Sequence, residues 1–256
     1  SNLGYADVHF HQLIYPGDTL TSASKVIGKK EISSGKAGIV YVHTIGTRED
    51  GSTAIDFIRW VMVKKRNVDI RSELAQVPST RPGIPASELR LPAGLGPLSV
   101  DTRLSGSPFG FEDYEIGEKI DHPDGMGVMQ SEHRLATRLY QNTARVHFND
   151  HVEKDGRLGG VIVYGGVVIS LARALSFNGL ANAFHLLGIN GGSHVNPCTG
   201  GDTVYAWSEV LDKAELSEDA GALRMRLVAL KNRNAHDFPL RDDKGAYLPD
   251  VLLDLD

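Results

Sequence analysis

An internal repeat constrains the fold of this chain more than any other feature of its sequence. The tripeptide Gly-Asp-Thr occurs at residues 17–19 and again at 201–203, an offset of 184 (201 − 17). Nine identities at this offset fall within residues 3–31, where average residue usage predicts roughly two by chance. After a slip of one residue, the Ala-Gly pair at 37–38 recurs at 220–221. The repeat predicts two copies of one fold in tandem.

Both copies carry strand signals. β-Branched and aromatic residues between turn residues predict four strands in the first copy: Gln12–Tyr15, Thr19–Ile27, Gly38–Gly46 and Thr53–Val63. From Val195 to Asp256 the chain is rich in the same signals. The fold class predicted from these signals and the helix described below is α+β, with antiparallel sheets.

The two copies differ in what precedes them, which suggests three segments. Residues 1–66 are predicted to be the carboxyl-terminal strands of a first unit, 67–109 a proline-rich linker, and 110–256 a complete second unit. About 76 residues (187 − 111) precede the repeat in the second unit, against two in the first. We therefore expect the first copy to be incomplete here, with an upstream segment equivalent to residues 111–186.

The segment from Tyr140 to Asn178 combines a polar loop with a nearly all-apolar helix. The loop is crowded with groups that hydrogen-bond or exchange protons: Asn142, His147, Asn149, Asp150 and His151. We predict a helix that starts at Gly165-Gly166, is buried against a sheet, and ends at Asn178-Gly179; a shorter one precedes it at Ser131–Tyr140. Unpaired backbone N–H groups at the amino end of the longer helix suit a developing oxyanion.

Composition narrows the functional classes. The chain is 41% hydrophobic and 23% charged, as in ordinary globular proteins, and its net charge of −5 argues against a nucleic-acid partner. No apolar run has the length of a membrane span and no secretory signal pattern is present, so we expect a cytoplasmic protein. The single cysteine, Cys198, is predicted to be a small buried residue.

Several strings resemble the MaoC-like (R)-specific enoyl-CoA hydratases. NTARVHFN, from Asn142 to Asn149, resembles the signature Asp-x-Asn-Pro-x-His-x-Asp of that family, and Tyr164-Gly165-Gly166 stands where the family has His-Gly-Met. PGDTL and GGDTV are similar to its Pro-Gly-Asp-Thr strand start. RLYQNTARVHFN, ISLARALSFNGLANA, YAWSEVL and HDFPLRD are similar to the mesaconyl-CoA hydratase branch of the family.

The resemblance implies a double hot-dog fold and hydration of a CoA thioester, mesaconyl-CoA, to β-methylmalyl-CoA. It places His147, Asn142, Gly165 and Gly166 in the catalytic site. Asn142 stands for the signature aspartate, and a carboxamide can orient water but cannot accept its proton, so His147 or Asp150 takes the acid–base role. The expected substrate-binding residues are Tyr164, Asn149, Arg145, Arg173 and Ser170. An acyl-CoA partner, no cofactor, no metal and homo-association are expected.

Alternatives stay open at the level of residues and of function. Asn142 equally suits a cap on the preceding helix, and Ser170 suits packing within its own helix. Arg145, Arg157 and Arg173 are candidates for a substrate carboxylate or CoA phosphates, or else surface charges. His147 and His151, beside Asp150, lack a clear third metal ligand. Hot-dog folds also host acyl-CoA thioesterases and non-catalytic acyl-CoA binders, and the fold alone does not choose among them.

Overall fold

A computed structural model describes residues 2–71, 75–95, 101–156 and 158–256. The strands in these ranges are β1 (Asn2–Phe10), β2 (Leu20–Glu31), β3 (Ala37–Arg48), β4 (Thr53–Lys64), β5 (Lys119–Gly127), β6 (Gly188–His194), β7 (Thr203–Ser217), β8 (Ala220–Lys231) and β9 (Val251–Leu255). The helices are α1 (Thr102–Ser105), α2 (Gln130–Leu139), α3 (Asp150–Glu153), α4 (Gly165–Leu175) and α5 (Phe177–Leu180). Three-residue 3-10 turns lie at Ala86–Glu88, Phe111–Asp113 and Arg145–His147.

The chain forms two compact units that are not contiguous in sequence. The first contains Ser1–Ser99, His185–Ser193 and Ala214–Gly221. The second contains Val100–Phe184, His194–Lys213 and Ala222–Asp256. The division proposed from the sequence, at residues 1–66, 67–109 and 110–256, concerns the repeated segments and stays a prediction.

The first unit is built on an antiparallel sheet in which the strands follow the order β2-β3-β4-β1-β6. Long hairpins join β2 to β3 and β3 to β4, and the second hairpin turns at Gly51, whose φ is 83°. In β1, alternate residues Gly4, Ala6 and Val8 are buried, which is the period of two expected of a strand with one covered face.

The second unit contains β9-β8-β7-β5 in that order, together with α2 to α5. One of its hydrophobic core clusters consists of Trp207, Val228, Leu230, Ala235 and Val251. Trp207 is 1% exposed, and its indole N–H donates to the carbonyl of Pro239, so the one polar group of this large side chain is satisfied inside the core.

The predicted repeat is confirmed in the order and the turns of the strands. The run β7-β8-β9 repeats the run β2-β3-β4, and the glycines of the two Gly-Asp-Thr turns have φ of 103° at Gly17 and 102° at Gly201. In each turn the aspartate accepts from the backbone N–H three residues earlier, Asp18 from Tyr15 and Asp202 from Thr199. The local sequence therefore fixes the same strand entry twice.

One predicted strand is wrong and another was missed. Residues 12–15 lie outside the strands, because the turn before β2 uses the backbone of Tyr15 to bind the side chain and backbone of Asp18. The first strand is instead β1, and its buried residues are too small to give a strong hydrophobic signal. The other three strands predicted in the first copy, Thr19–Ile27, Gly38–Gly46 and Thr53–Val63, are confirmed as β2, β3 and β4.

Helix α4 starts at Gly165 as predicted, but it is not buried all round. Val168, Ala172 and Leu175 form one buried stripe, whereas Ser170 and Ala174 are exposed. The reading of Ser170 as a packed helix residue is therefore wrong. Helix α4 ends at Leu175 with Ser176 as its C-cap residue, so the predicted helix end at Asn178-Gly179 is wrong. That dipeptide instead interrupts α5, where Asn178 has ψ of 102° and Gly179 has φ of 103°.

Candidate active site

His147 lies in the 3-10 turn of the second unit with one ring nitrogen held by the backbone. Its Nδ1 is 3.0 Å from the carbonyl oxygen of Ile162. Because a carbonyl oxygen only accepts, Nδ1 carries the proton and Nε2 keeps its lone pair. The residue is 8% exposed, and burial lowers the pKa of the imidazole, against the opposing effect of the Ile162 carbonyl. At neutral pH the side chain is a neutral base with a fixed tautomer.

Backbone hydrogen bonds hold the His147 turn on both sides. The N–H of His147 donates to Ala144, and the N–H of Ile162 donates to Val146 at 3.0 Å. The next residue along, Val163, donates to the carbonyl of Cys198 at 2.8 Å. The loop that carries the base is thus tied to the segment that leads into α4.

Asn142 closes helix α2 and shapes the following turn. Its backbone N–H donates to Thr137, and Gln141, with φ of 53°, donates to Arg138, which is the hydrogen-bond pattern of a Schellman motif. The Asn142 side-chain oxygen accepts from the N–H of Ala144 at 2.9 Å. The capping interpretation of Asn142 is confirmed for its backbone, and its water-orienting role stays a prediction.

Ring side chains surround the amino end of α4. Tyr164 is the N-cap residue, its ring centroid lies 5.6 Å from that of His147, and no side chain among the described residues caps this helix end. A Cβ at position 166 would lie 2.8 Å from the Tyr164 ring, and one at position 165 would lie 2.5 Å from the ring of His194. Glycine at both positions lets the rings pack against the helix start, whose N–H groups carry partial positive charge.

The sequence reasoning missed two histidines near this site. His194 ends β6, and burial together with the charge of His147 lowers its pKa to about 4. His133 in α2 is fully buried, its Nε2 donates to Gln130 Oε1 at 2.7 Å, and burial, Arg134 and His147 lower its pKa. Neither lies in a string that resembles the family signature. The sequence of α2 did not indicate that His133 is buried, because this helix buries polar residues and exposes Leu135.

Two further predicted loop residues hold the structure around the base. The side chain of Asn149 accepts from the N–H of Val152 and caps α3. Asp150 is exposed and pairs with Arg134, with 2.6 Å between Oδ1 and Nη2. The carboxylate that could have replaced His147 as base is therefore engaged with the guanidinium of Arg134.

The predicted substrate-binding arginines occupy different surroundings. Arg145 is exposed and lies in the same 3-10 turn as His147, two residues before it. Arg173 lies in the last turn of α4, where its guanidinium donates to Ser176 Oγ and to the carbonyl of Ala183, and burial lowers its pKa. Arg157 lies outside the described residues. Arg173 therefore lies at the carboxyl end of α4 and not at its amino end.

Cys198 and His151 have reactive side chains, but their surroundings do not favour a reaction. Cys198 is 3% exposed, as predicted, and burial raises the pKa of its thiol to about 12. His151 is exposed, whereas His147 is buried. Within the part of the chain that the structure describes, no group of three or more His, Cys, Asp or Glu side chains is arranged to hold a metal ion.

Comparison with known proteins identifies the family. A family model described as mesaconyl-CoA hydratase matches residues 135–240, which include Asn142, His147 and the Gly165-Gly166 helix start. A β-methylmalyl-CoA dehydratase from Chloroflexus aurantiacus is 51% identical over 258 residues, covering 100% of this chain and 73% of the relative. The chain belongs to the mesaconyl-CoA hydratase family. A mesaconyl-CoA hydratase from Cereibacter sphaeroides is also 51% identical, with 100% and 74% covered.

Solved structures agree with membership of the mesaconyl-CoA hydratase family and with the predicted fold. The structure of a MaoC-domain dehydratase from Chloroflexus aurantiacus has a TM-score of 0.93 at 50% identity, covering 100% of this chain and 73% of that one. A Mycobacterium tuberculosis protein with a double hot-dog fold has a TM-score of 0.69 at 23% identity, a likeness that shows the fold alone. The α+β double hot-dog prediction is confirmed. None of the helices described here is long and apolar enough to cross a membrane.

Proposed function

We propose that this chain, as a member of the mesaconyl-CoA hydratase family, catalyses the reversible hydration of mesaconyl-CoA to β-methylmalyl-CoA. The observation that carries the proposal is the fixed tautomer of His147, whose Nδ1–H is held by Ile162 while burial keeps the ring neutral. A neutral imidazole with a bare Nε2, close to a helix start that can bind an oxyanion, is the pair of groups that hydration of an enoyl thioester requires.

In the proposed mechanism, the proton that His147 takes from water is later given to the substrate, so His147 ends the reaction unchanged. Nε2 of His147 removes a proton from a water molecule, and the water oxygen bonds to the β-carbon of the enoyl group. The electron pair of the double bond moves toward the thioester oxygen and forms an enolate. Protonation of the α-carbon from the His147 imidazolium completes the addition and restores the neutral base. Dehydration follows the same steps in reverse.

The amino end of α4 is the place proposed for the enolate oxygen. The N–H groups of Gly165 and Gly166 belong to the first turn of the helix, which has no partner for them within the helix. Donors that are fixed before the reaction stabilise the developing charge without reorganising, and loss of one such donor typically lowers kcat about 10²-fold or more. Tyr164, the residue before these donors, has its ring centroid 5.6 Å from that of His147.

The free carboxylate of the mesaconyl group also needs a partner. We assign it to Arg145, which shares the 3-10 turn of His147 and is exposed. Arg173 is eight residues beyond Gly165, about 12 Å along the helix axis, and already binds Ser176 and Ala183. It is therefore too far along α4 for the reacting acyl group, and we propose that it contacts the CoA part of the substrate. Asn149 and Ser170 are also proposed to contact the substrate. Their positions alone support this, Asn149 in the loop that carries His147 and Ser170 on the exposed face of α4.

The proposal also covers the need for cofactors, the cellular location and the oligomeric state. The chemistry uses only the residues above and the CoA already present in the substrate, so the proposed enzyme works without an added cofactor or metal. We also propose a cytoplasmic location, because a chain with a single cysteine has no internal disulfide and suits a reducing compartment. Homo-association is proposed from the family resemblance.

Incubation of the protein with mesaconyl-CoA tests the proposal against the thioesterase and acyl-CoA-binder alternatives. Hydration predicts loss of the conjugated-thioester absorbance, a product heavier by one water, and no free thiol. Free thiol would instead identify a thioesterase, and an unchanged thioester would identify a binder. Turnover of crotonyl-CoA but not of mesaconyl-CoA would contradict the substrate. His147→Gln serves as the matched control for enzyme-dependent product.

A further inference from the structure

Helix α2 turns polar residues toward the interior and leucines toward solvent. His133 and Thr137, one turn apart, are fully buried, whereas Leu135 is 58% exposed and Leu139 is 68% exposed. Each residue is rotated by about 100° from the one before it, so the two leucines lie on the side opposite to the buried stripe. Because a surface helix normally buries its apolar side, this exposed face indicates an interaction surface.

Two opposite charges border the exposed leucines. Glu132 lies three residues before Leu135 and Arg138 three residues after it, and both are exposed. They are about 9 Å apart along the helix axis and on opposite sides of Leu135, so they do not pair with each other within α2. One oxygen of Glu132 accepts from the N–H of Met129. Within the described ranges of the chain, the guanidinium of Arg138 has no hydrogen bond or ion pair.

The charges on this face are complementary to a second copy of the same face. If two α2 helices pack antiparallel about a two-fold axis at Leu135, residues equally far before and after Leu135 lie opposite each other. Glu132 of each copy then lies opposite Arg138 of the partner subunit, and the ion pair forms twice. Parallel packing would instead place like charges together, which disfavours that arrangement.

We propose that the exposed face of α2, formed by Glu132, Leu135, Arg138 and Leu139, binds the same face of a second copy in antiparallel orientation. The proposal gives a surface to the homo-association named under the proposed function and needs no assumption about the reaction. Together with Tyr140, which is 70% exposed, the two leucines leave roughly 400 Å² uncovered. That is half of the roughly 800 Å² per partner of a standard interface, so we expect a Kd of about 1–100 μM.

Sedimentation velocity over a range from about 1 μM to about 500 μM measures this association. Leu135→Glu places a charge at the centre of the interface and should raise Kd at least about tenfold. Arg138→Glu places a carboxylate opposite Glu132 of the partner subunit and should raise Kd roughly tenfold. Leu104→Glu, at a leucine that is 87% exposed in α1, and Arg90→Glu, at an exposed arginine, are the matched controls and should keep the wild-type Kd. Circular dichroism verifies that each variant is folded.

Chemical cross-linking tests the position of the two-fold axis. In the proposed pair, Leu135 lies beside Leu135 of the partner subunit, so Leu135→Cys treated with a short bis-maleimide near the measured Kd should form a covalent dimer. Leu104→Cys under the same conditions should stay mostly monomeric. The native thiol of Cys198 adds little background, because it is 3% exposed and burial raises its pKa to about 12.

A wild-type protein that stays monomeric over the whole concentration range would overturn the proposal, and binding of that monomer to phosphatidylcholine vesicles would identify a lipid surface as the occupant instead. Association that Leu135→Glu leaves at the wild-type Kd would show that another surface carries it. An effect of Leu135→Glu without one of Arg138→Glu would contradict the antiparallel pairing.

Hydration of mesaconyl-CoA, measured on the same preparation, keeps this inference separate from the proposed function. Turnover without association through α2 would overturn the self-association surface and leave the hydratase proposal intact. Association without turnover would refute the hydratase proposal and support the surface.

Discussion

Replacement of Gly165 by alanine tests whether the close approach of His194 to α4 matters for the reaction. The new Cβ would lie 2.5 Å from the His194 ring, about 0.9 Å inside the 3.4 Å at which ordinary contacts begin. Either the ring or the first turn of the helix must move by roughly that distance. A misplacement of about 1 Å in a positioned group can lower the rate 10²-fold, so we expect kcat to fall about 10²-fold.

Stability and activity should respond to Gly165→Ala in different ways. Alanine is favoured over glycine in helices by up to about 1 kcal/mol, which offsets part of the cost of the contact with His194. We therefore expect the melting temperature to change by only a few degrees. Steady-state hydration of mesaconyl-CoA and thermal unfolding followed by circular dichroism measure the two effects on the same preparation.

The control for Gly165→Ala is an alanine in open space nearby. A Cβ at Gly160, five residues earlier, would meet no atom within 4 Å, so Gly160→Ala should keep wild-type kcat. Gly166→Ala should give a smaller loss than Gly165→Ala, because its Cβ would be 2.8 Å from the Tyr164 ring. Wild-type kcat in a folded Gly165→Ala protein would refute the assignment of the enolate site to this helix start.

Three more substitutions probe the surroundings of the site. Asn142→Asp places a negative charge near His147, which should raise the lowered pKa of the imidazole and move the acid limb of the pH–rate profile upward; superimposable profiles would show that the two side chains do not interact. Gln141→Gly relieves a φ of 53° and should stabilise the fold by about 0.5–1 kcal/mol in denaturant titration, and destabilisation would contradict this. Gly200→Ala would bring a Cβ to 2.2 Å from Gln130 Oε1, break its bond to buried His133, and cost about 1–3 kcal/mol, whereas Gly127→Ala should cost less.

The strands of the two repeats could be predicted because their signals are local. Each Gly-Asp-Thr turn needs a glycine with positive φ and an aspartate that binds the preceding backbone, and both requirements are visible in the sequence. The following strands alternate or carry β-branched residues. Strand β1 could not be found in this way, because Gly4 and Ala6 present little apolar surface and the strand is defined by its partners β4 and β6.

The candidate site was predictable where it is contiguous in sequence and not elsewhere. His147 and the Gly165-Gly166 helix start lie within one segment, and the ring of Tyr164 lies near both of them. His194 is 47 residues beyond His147 (194 − 147), on a glycine-rich strand without a recognisable signature. Its relation to Gly165 is a tertiary contact, and no spacing rule predicts it. Likewise, the apolar sequence of α4 does not reveal that Ser170 faces outward.

Arginine roles were the least predictable part of the site. A guanidinium reaches several ångströms from its Cα, so position in sequence does not decide whether it meets a substrate or a backbone carbonyl. Arg173 binds the carbonyl of Ala183 near the end of α4, an arrangement that its place in the last helical turn does favour. Arg145 has no such local signal, and its proposed carboxylate partner follows from its place in the His147 turn.

The rate of mesaconyl-CoA hydration by His147→Gln, measured beside the wild-type protein at neutral pH, tests the account most directly. Glutamine retains an N–H that can donate to Ile162 but has no nitrogen that can accept a proton. We predict that kcat falls by roughly 10²–10⁴-fold while the affinity for β-methylmalyl-CoA stays within about threefold of wild type. A folded His147→Gln protein with at least half the wild-type kcat would contradict the assignment of His147 as the base.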